Sequence, residues 1–383
     1  MLMNLVRIFY PCFANVIFNS IQVFTGNSSM KKKLCILHVG MPKTGSSMLQ
    51  EAFSGHIEDP NILYPNLLAF NHGSVLWGMF MDNPENYHYF ISKGWGKDQI
   101  DKFSLQNEDI LINYFENTTG ETVILSGEDI FHFDIVAIKK LKVFLSSYFE
   151  RIIVVGYVRP VKSFLESAFQ QLVKFHEQSD LGFEQIYHHY KCFGNFDTVF
   201  GKENVLLVKY TSDNLINDDI VVDFCSRLNI KHSFETKKIA NESVTSAVVS
   251  IMFCYHNYIS KSIDFKTLPY EIKDQVIQSL APIGKDKFKF SDDYIKTIVK
   301  AHSDDYEWIK DRLADDLNEE SVDKTGFSTS TDIIEHALCH FEELKSLACS
   351  LGIKKIDDLE KNSDSIGRIV DKIVQIKIKH QTY

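Results

Sequence analysis

The stretch LCILHVGMPKTGSSMLQEAF, residues 34–53, decides the fold class of this 383-residue chain. An apolar run rich in strand formers ends in a cluster of small residues with one lysine, and a helical pattern follows. Chains use a strand, a small-residue loop and a helix in this order to bind anions, because the first amides of the helix are unpaired and its dipole favours negative charge. The stretch therefore predicts an anion-binding loop at residues 40–47.

This loop lacks the Walker A pattern of ATP-binding proteins, G-x-x-x-x-G-K-S/T. Aligned on Lys43 and Thr44, that pattern needs glycine at positions 37 and 42, where this chain has Leu37 and Pro42. An ATP-dependent kinase is the alternative hypothesis because it shares the strand–loop–helix geometry. It would need these two glycines and an acidic side chain to hold Mg²⁺. The anion that the loop binds has to be identified from the rest of the chain.

Composition and charge narrow the class of protein. Hydrophobic content of 44% and charged content of 24% are ordinary for a globular protein. A net charge of -10 argues against a general nucleic-acid binder, so an anionic substrate would need a local cluster of cations. The seven cysteines are scattered and form no C-x-x-C pair, which predicts neither a zinc site nor a disulfide framework. We therefore expect a reducing, cytoplasmic location.

Strand and helix patterns alternate through the first two thirds of the chain. Apolar runs predict strands at about 34–39, 121–130, 151–160 and 204–210, each followed by a helical pattern. Continuous apolar strands are typical of a parallel sheet covered on both faces. We predict an α/β fold, a P-loop-like three-layer sandwich with a central parallel sheet flanked by helices. Beyond about residue 243 only amphipathic helices are predicted, at 243–260, 292–317 and 331–351.

The predicted organisation has three parts: a leader or membrane anchor at 1–30, an α/β core at 31–262 with an insertion at about 55–120, and a helical C-terminal extension at 263–383. Residues 5–26 are apolar with a single charge, but Pro11 and several polar residues interrupt them. They are compatible with a dispensable leader upstream of a second start at Met30, with a membrane anchor, or with a packed helix. Membrane association through residues 5–26 is expected only for the anchor.

The loop offers several groups that suit an anion. Gly40 and Gly45 lack a Cβ and allow the backbone to approach a ligand closely. Thr44, Ser46 and Ser47 supply hydroxyl and amide donors, and Lys43 adds one positive charge. The alternative interpretation is an ordinary capped helix after a strand.

A family resemblance follows from two motifs. The segment HVGMPKTGSSMLQ resembles the 5′-phosphosulfate loop of sulfotransferases that use 3′-phosphoadenosine 5′-phosphosulfate (PAPS), with the pattern Pro-Lys-Ser/Thr-Gly-Ser/Thr-Ser/Thr. In that family a strand ends in an arginine, and a serine eight residues later on the next helix completes the 3′-phosphate site. The segment VVGYVRPVKSFLESAF supplies Arg159 and Ser167 in these positions. The resemblance covers about residues 34–245.

The resemblance implies a PAPS-dependent sulfotransferase of the bacterial type. PAPS would be the co-substrate, 3′,5′-diphosphoadenosine the product, and no metal would be required. The residues implied for donor binding are Pro42, Lys43, Thr44, Gly45, Ser46, Ser47, Arg159 and Ser167. Physical chemistry supports the second motif, because an arginine can direct two donors onto a phosphate and Ser163 and Ser167 share one helix face. A salt bridge at the helix start is the alternative for Arg159.

Catalysis in such a family is in-line transfer of the sulfuryl group, with Lys43 neutralising the charge that grows on the bridging oxygen. Related sulfotransferases use a histidine or glutamate near the second strand as base, which here indicates Glu128 in LSGED. The neighbouring Asp129 would raise its pKa. Capping of the strand end is the alternative for Glu128. Among the histidines, His38 is expected to be buried, and His72 and His132 are secondary candidates for the substrate pocket.

The acceptor is expected to be a carbohydrate hydroxyl. The segment FLESAFQQLVK and the elements at 63–72 resemble bacterial-type sulfotransferases that act on glycans, and the aromatic residues at 64–95 could stack on sugars or simply pack together. The resemblance also implies adenine contacts after the later strands, and Lys238, Asn241 and Ser243 in KKIANES are the candidates, unless they only cap a helix. A non-catalytic relative that binds nucleotide or glycan is a further alternative. No nucleic-acid partner is expected.

Overall fold

The computed structural model describes residues 31–54, 57, 59–67, 70–182, 189–231, 243–317 and 326–381. The predictions for residues 1–30, Lys238 and Asn241 fall outside these ranges. In the part of the chain that is described, no helix is both long and apolar enough to cross a membrane. Six cysteines lie in the described ranges, and all of them are free thiols.

The centre of the fold is one parallel sheet of five strands in the order β2-β3-β1-β4-β5. The strands are β1 (Lys32–His38), β2 (Ile62–Leu63), β3 (Thr122–Ser126), β4 (Phe149–Val158) and β5 (Val205–Lys209). His38 pairs with Ser126 on one side and with Val155 on the other, so the carboxyl ends of three adjacent strands meet at one edge. Ligands of open α/β sheets bind beyond this edge.

Helices cover both faces of the sheet, as the sequence predicts. Alternate residues of β1 belong to two hydrophobic cores: Cys35 and Leu37 to one, and Ile36 to the other together with Leu49 and Phe224. Both faces of the strand are therefore buried, which explains why its sequence is continuously apolar rather than alternating. This arrangement confirms the predicted α/β class with a helical C-terminal region.

Fifteen α-helices are seen among the described residues. In chain order they are α1 (Ser46–Phe53), α2 (Gly73–Phe80), α3 (His88–Lys93), α4 (Lys97–Asn117), α5 (Ile135–Tyr148), α6 (Val161–Phe175), α7 (Cys192–Phe200), α8 (Ile220–Arg227), α9 (Ser246–Asn257), α10 (Tyr270–Leu280), α11 (Asp292–Ala301), α12 (Ser303–Leu313), α13 (Ser330–Cys339), α14 (Phe341–Ser350) and α15 (Ser363–Gln381).

Some elements differ from the sequence prediction. The segment 292–317, interpreted as one helical stretch, forms α11 and α12 with a break at His302. Asp304 and Asp305 occupy the first turn of α12, where carboxylates stabilise a new helix start through its dipole. The described part of the insertion at 55–120 contains three α-helices, and helix α10 lies where no helix was predicted.

Helices of the C-terminal third contact helix α6, which carries one of the candidate motifs. Lys162 forms an ion pair with Asp292, and Glu166 accepts a hydrogen bond from the Phe290 amide at 3.0 Å. The Asp305 carboxylate accepts hydrogen bonds from the backbone amides of Tyr190 and Lys191, each at 2.8 Å. The C-terminal third is thus packed against α6 and against residues 190–191.

Candidate active site

The 40–47 loop leaves β1 at the carboxyl edge of the sheet and leads into α1. Gly45 has φ +78°, in the left-handed region that glycine tolerates best, and it has no side chain to cap the helix. Lys43 has φ +67°, which is uncommon for a residue with a Cβ. Such strain in a non-glycine residue is typical of ligand sites and requires support from surrounding contacts.

The hydroxyl groups of the loop have different environments. Thr44 is buried and donates to the Met41 carbonyl at 2.6 Å, so its hydroxyl closes the loop and its contribution to a ligand would be its amide. Ser46 is 3% exposed, and its Oγ has no hydrogen-bond partner among the described residues. Ser47 is exposed. A buried hydroxyl without a partner at the start of a helix is costly unless a ligand or water satisfies it.

Gly40 allows the loop to lie against the start of α1. A Cβ at this position would be 2.4 Å from Ser46 Oγ and 3.2 Å from His38 Nε2. His38 is fully buried as expected, its Nδ1 lies 2.8 Å from Ser126 Oγ, and burial lowers its pKa to about 4. The neutral, buried imidazole therefore brings no charge to the loop, and its Nε2 has no hydrogen-bond partner among the described residues.

Lys43 is the point at which the candidate motifs meet. Its ammonium donates to Gln171 Oε1 at 2.6 Å, and its backbone amide donates to Glu128 Oε1 at 3.3 Å. The Arg159 guanidinium donates to the Lys43 carbonyl. Burial lowers the pKa of the Lys43 ammonium, the charges of Arg159 and Lys174 lower it further, and Glu128 opposes them. These contacts also hold Lys43 in its unusual backbone conformation.

Glu128 lies in the short 3₁₀ helix Glu128–His132 that follows β3. Burial raises the pKa of its carboxyl group to about 7, Asp129 adds to the increase, and the Lys43 charge and amide oppose it. Asp129 accepts a hydrogen bond from the Tyr87 hydroxyl, and the Tyr87 ring stacks on Trp77 with centroids 4.6 Å apart. Asp129 is therefore held by the insertion, and Glu128 by the Lys43 amide.

Arg159 follows β4 and is held from several directions. Its Nε donates to Ser163 Oγ at 3.3 Å, and its guanidinium carbon lies 5.7 Å from the centre of the Tyr210 ring. The Tyr190 hydroxyl donates to the Arg159 carbonyl at 2.7 Å. Pro160 is the N-cap of α6, and the helix begins at Val161.

One face of α6 joins Arg159 to Lys43. Ser163, Ser167 and Gln171 follow one another at intervals of four residues in this helix, so they form a row along one face. Ser163 contacts Arg159 at one end of the row, and Gln171 contacts the Lys43 ammonium at the other. The half-buried Ser167 lies between them.

Three contacts of the site were not predicted. Gln171 continues the row of Ser167 and could have been found from its spacing. Tyr210 directly follows β5 at the same sheet edge, and a Cβ on Gly45 would be 3.2 Å from its hydroxyl. Tyr87 reaches Asp129 from a distant part of the insertion, and no local pattern in the sequence predicts that contact.

The second buried histidine is engaged by the backbone. His72 Nδ1 accepts from the Ser126 amide at 3.2 Å, its Nε2 bonds the Pro65 carbonyl at 3.0 Å, and burial lowers its pKa to about 4. His72 is thus a structural support of β3 rather than an accessible base. Within the described ranges, no group of three or more His, Cys, Asp and Glu side chains is placed to hold a metal ion.

Comparisons with known proteins give structural likeness only. No family model and no curated protein matches the chain. A solved sulfotransferase from Alicyclobacillus acidocaldarius is 18% identical with a TM-score of 0.35, over 58% of this chain and 91% of that one. The sulfotransferase domain from the curacin biosynthetic pathway is 18% identical with a TM-score of 0.31, over 55% of this chain and 77% of that one. Scores this low carry no argument about function.

Proposed function

We propose that this protein is a sulfotransferase that moves the sulfuryl group of PAPS to an acceptor hydroxyl, most suitably on a carbohydrate. The observation that carries the proposal is the meeting of three distant motif residues: Lys43 contacts both Glu128 and Arg159 through its own backbone. An accidental resemblance in the loop alone would not bring an arginine and a carboxylate of matching role to it.

The chemistry of the site suits a ligand with two anionic ends. At one end, Ser46 Oγ is buried without a described partner at the start of α1, where an anion is favoured. At the other end, Arg159 and the row of serines on α6 suit a phosphate. The loop residues Pro42, Lys43, Thr44, Gly45, Ser46 and Ser47 would hold the 5′-phosphosulfate, and Arg159 and Ser167 the 3′-phosphate. Lys238 and Asn241 remain the proposed adenine contacts.

The mechanism assigns each side chain one task. Bound PAPS supplies an activated sulfuryl group, and its transfer leaves 3′,5′-diphosphoadenosine. Lys43, positioned by Gln171, would neutralise charge on the oxygen of the departing phosphate, and the loop amides would share that charge. Glu128 would accept the proton of the attacking hydroxyl. A base with a pKa of about 7 is suited to proton transfer near neutral pH.

The carbohydrate direction rests on the family resemblance of FLESAFQQLVK, not on the aromatic insertion. Many of the aromatic rings at 64–95 pack against one another: Trp77 stacks on Tyr87, and Phe90 stacks on Trp95 at 6.0 Å. These stacked rings are held as a core and offer little free surface for a sugar, whereas Phe70 is 64% exposed.

A thermal-shift experiment tests the donor class directly. We expect 3′,5′-diphosphoadenosine to raise the melting temperature in the absence of Mg²⁺, and ATP with Mg²⁺ to have little effect. Arg159→Ala should remove the shift, whereas Arg151→Ala, an exposed arginine at the other end of the same strand, should keep it. A larger shift with ATP and Mg²⁺ would favour the kinase alternative and reject the sulfotransferase proposal.

A further inference from the structure

Lys174 is a second lysine at the site, three residues beyond Gln171 on the same face of α6. Its side chain is half-buried, and its ammonium lies 5.3 Å from the ring centre of the neighbouring Phe175. Among the described residues it has no carboxylate within 4.0 Å and no hydrogen-bond acceptor. Burial lowers the pKa of its ammonium, and an anionic group of a ligand would offset this partial desolvation.

Neighbouring charges also affect the free energy of keeping the Lys174 ammonium charged. The positive charge of Lys174 lowers the pKa of Lys43, and the negative charge of Asp274 partly offsets the effect of burial on the pKa of Lys174 without forming an ion pair with it. The last turn of α6 offers a partial negative charge. Lys273 already places a positive charge at that end of the helix, because its ammonium donates to the Phe175 carbonyl at 3.0 Å.

Lys174 lies beyond the part of the proposed site that the donor would occupy, on the side from which the acceptor would approach. Arg159, Ser167 and Gln171 mark the direction from the proposed 3′-phosphate to Lys43. Lys174 continues that direction beyond Gln171 by about 4.5 Å along the helix axis, given the rise per residue of an α-helix. The donor would occupy the row up to Lys43, so the next cation faces what lies beyond the sulfuryl group.

We propose that the acceptor carries an anionic group, a carboxylate or a sulfate ester, close to its reacting hydroxyl, and that Lys174 binds this group. The inference rests on the proposed function and adds a class of acceptor to it. A negative charge on the acceptor would compensate the unpaired ammonium and would orient the hydroxyl toward Glu128. It also explains how a chain with net charge -10 attracts an anionic substrate, through a local pair of lysines.

Binding of three related glycans to the full chain, saturated with 3′,5′-diphosphoadenosine, tests the proposal by calorimetry. Chondroitin carries only carboxylates, carboxyl-reduced chondroitin is neutral, and carboxyl-reduced chondroitin sulfate carries only sulfate esters. We expect at least one charged glycan to bind about tenfold more tightly than the neutral one, the effect of one charged hydrogen bond. Comparison of the two charged glycans identifies which anionic group Lys174 prefers.

Two variants distinguish the loss of a specific charge contact from a general disturbance of the folded site. Lys174→Gln should abolish the preference for charged glycans while affinity for 3′,5′-diphosphoadenosine is retained. The matched control is Lys93→Gln, because Lys93 also lies in the last turn of a helix over an aromatic ring, that of Tyr89. It should leave the preference intact.

Three outcomes would overturn the inference: equal binding of charged and neutral glycans, a preference that survives Lys174→Gln, or no glycan binding to a protein that binds 3′,5′-diphosphoadenosine. Failure of the wild-type chain to bind 3′,5′-diphosphoadenosine would instead reject the proposed function itself. The two failures are therefore distinguishable in one set of measurements.

Discussion

The backbone amide of Lys43 donates a hydrogen bond to Glu128 Oε1 at 3.3 Å across a separation of 85 residues. The contact exists because β1 and β3 are adjacent parallel strands, and the loop after one meets the turn after the other at the same edge. It brings a proposed base beside a proposed charge-neutralising lysine. In a sulfuryl transfer these two groups act on opposite sides of the sulfur, so their proximity leads to the first prediction.

Glu128→Gln should lower kcat by about 10²–10⁴-fold, the usual contribution of a general base, because the amide cannot accept the proton of the acceptor. Affinity for 3′,5′-diphosphoadenosine should persist, since the amide side chain has the same size and can still accept from Lys43. Transfer of radiolabelled sulfate and calorimetry measure the two quantities. Glu121→Gln, at the exposed other end of the strand, serves as control. Full activity of Glu128→Gln would exclude Glu128 as the base.

The pH dependence of kcat/KM should identify the base independently. Glu128 acts in its deprotonated form, and burial and Asp129 raise its pKa to about 7, so activity should rise as the pH increases through about 7. If His38 or His72 were the base, the rise would occur near pH 4, where burial places their pKa values. A pH–rate profile between pH 4 and 9 distinguishes these cases.

Lys43→Met should reduce kcat by about 10²–10³-fold, as the loss of one group that stabilises transition-state charge typically does. Gln171→Leu should have a smaller effect, about tenfold, because it only releases the Lys43 ammonium from a 2.6 Å hydrogen bond. The melting temperature of each variant, measured without ligand, checks that the fold persists. A larger loss in Gln171→Leu than in Lys43→Met would contradict the assignment of charge neutralisation to Lys43.

The fold and part of the site could be predicted because their signals are local. Strand β1 is apolar at every position from Leu34 to Leu37, and the loop that follows it is read from consecutive residues. Helix α4 also had a readable pattern, with buried Ile100, Phe103 and Leu111 at helical spacing, but the aromatic residues before it obscured the signal. The Tyr87–Asp129 contact depends on how the insertion packs against β3, which no local pattern encodes.

The same limit applies to the support of Arg159. The sequence shows an arginine directly after β4. It does not show that the Tyr190 hydroxyl donates to the Arg159 carbonyl, or that the Tyr190 amide donates to Asp305 of α12. The sequence assigns α12 to a C-terminal extension without indicating that it reaches the site. These are contacts between residues more than 30 positions apart, and they follow from packing.

Asp305→Ala should therefore weaken both the fold and the donor site. The buried carboxylate accepts two backbone hydrogen bonds at 2.8 Å, and leaving both amides unsatisfied should lower the free energy of unfolding by about 2–5 kcal/mol. Because Tyr190 would lose its anchor, 3′,5′-diphosphoadenosine should also bind less tightly through Arg159. Urea denaturation and calorimetry measure the two effects. Asp304→Ala, an exposed carboxylate in the same helical turn, should change neither, and an unaltered stability of Asp305→Ala would show that α12 does not support the site.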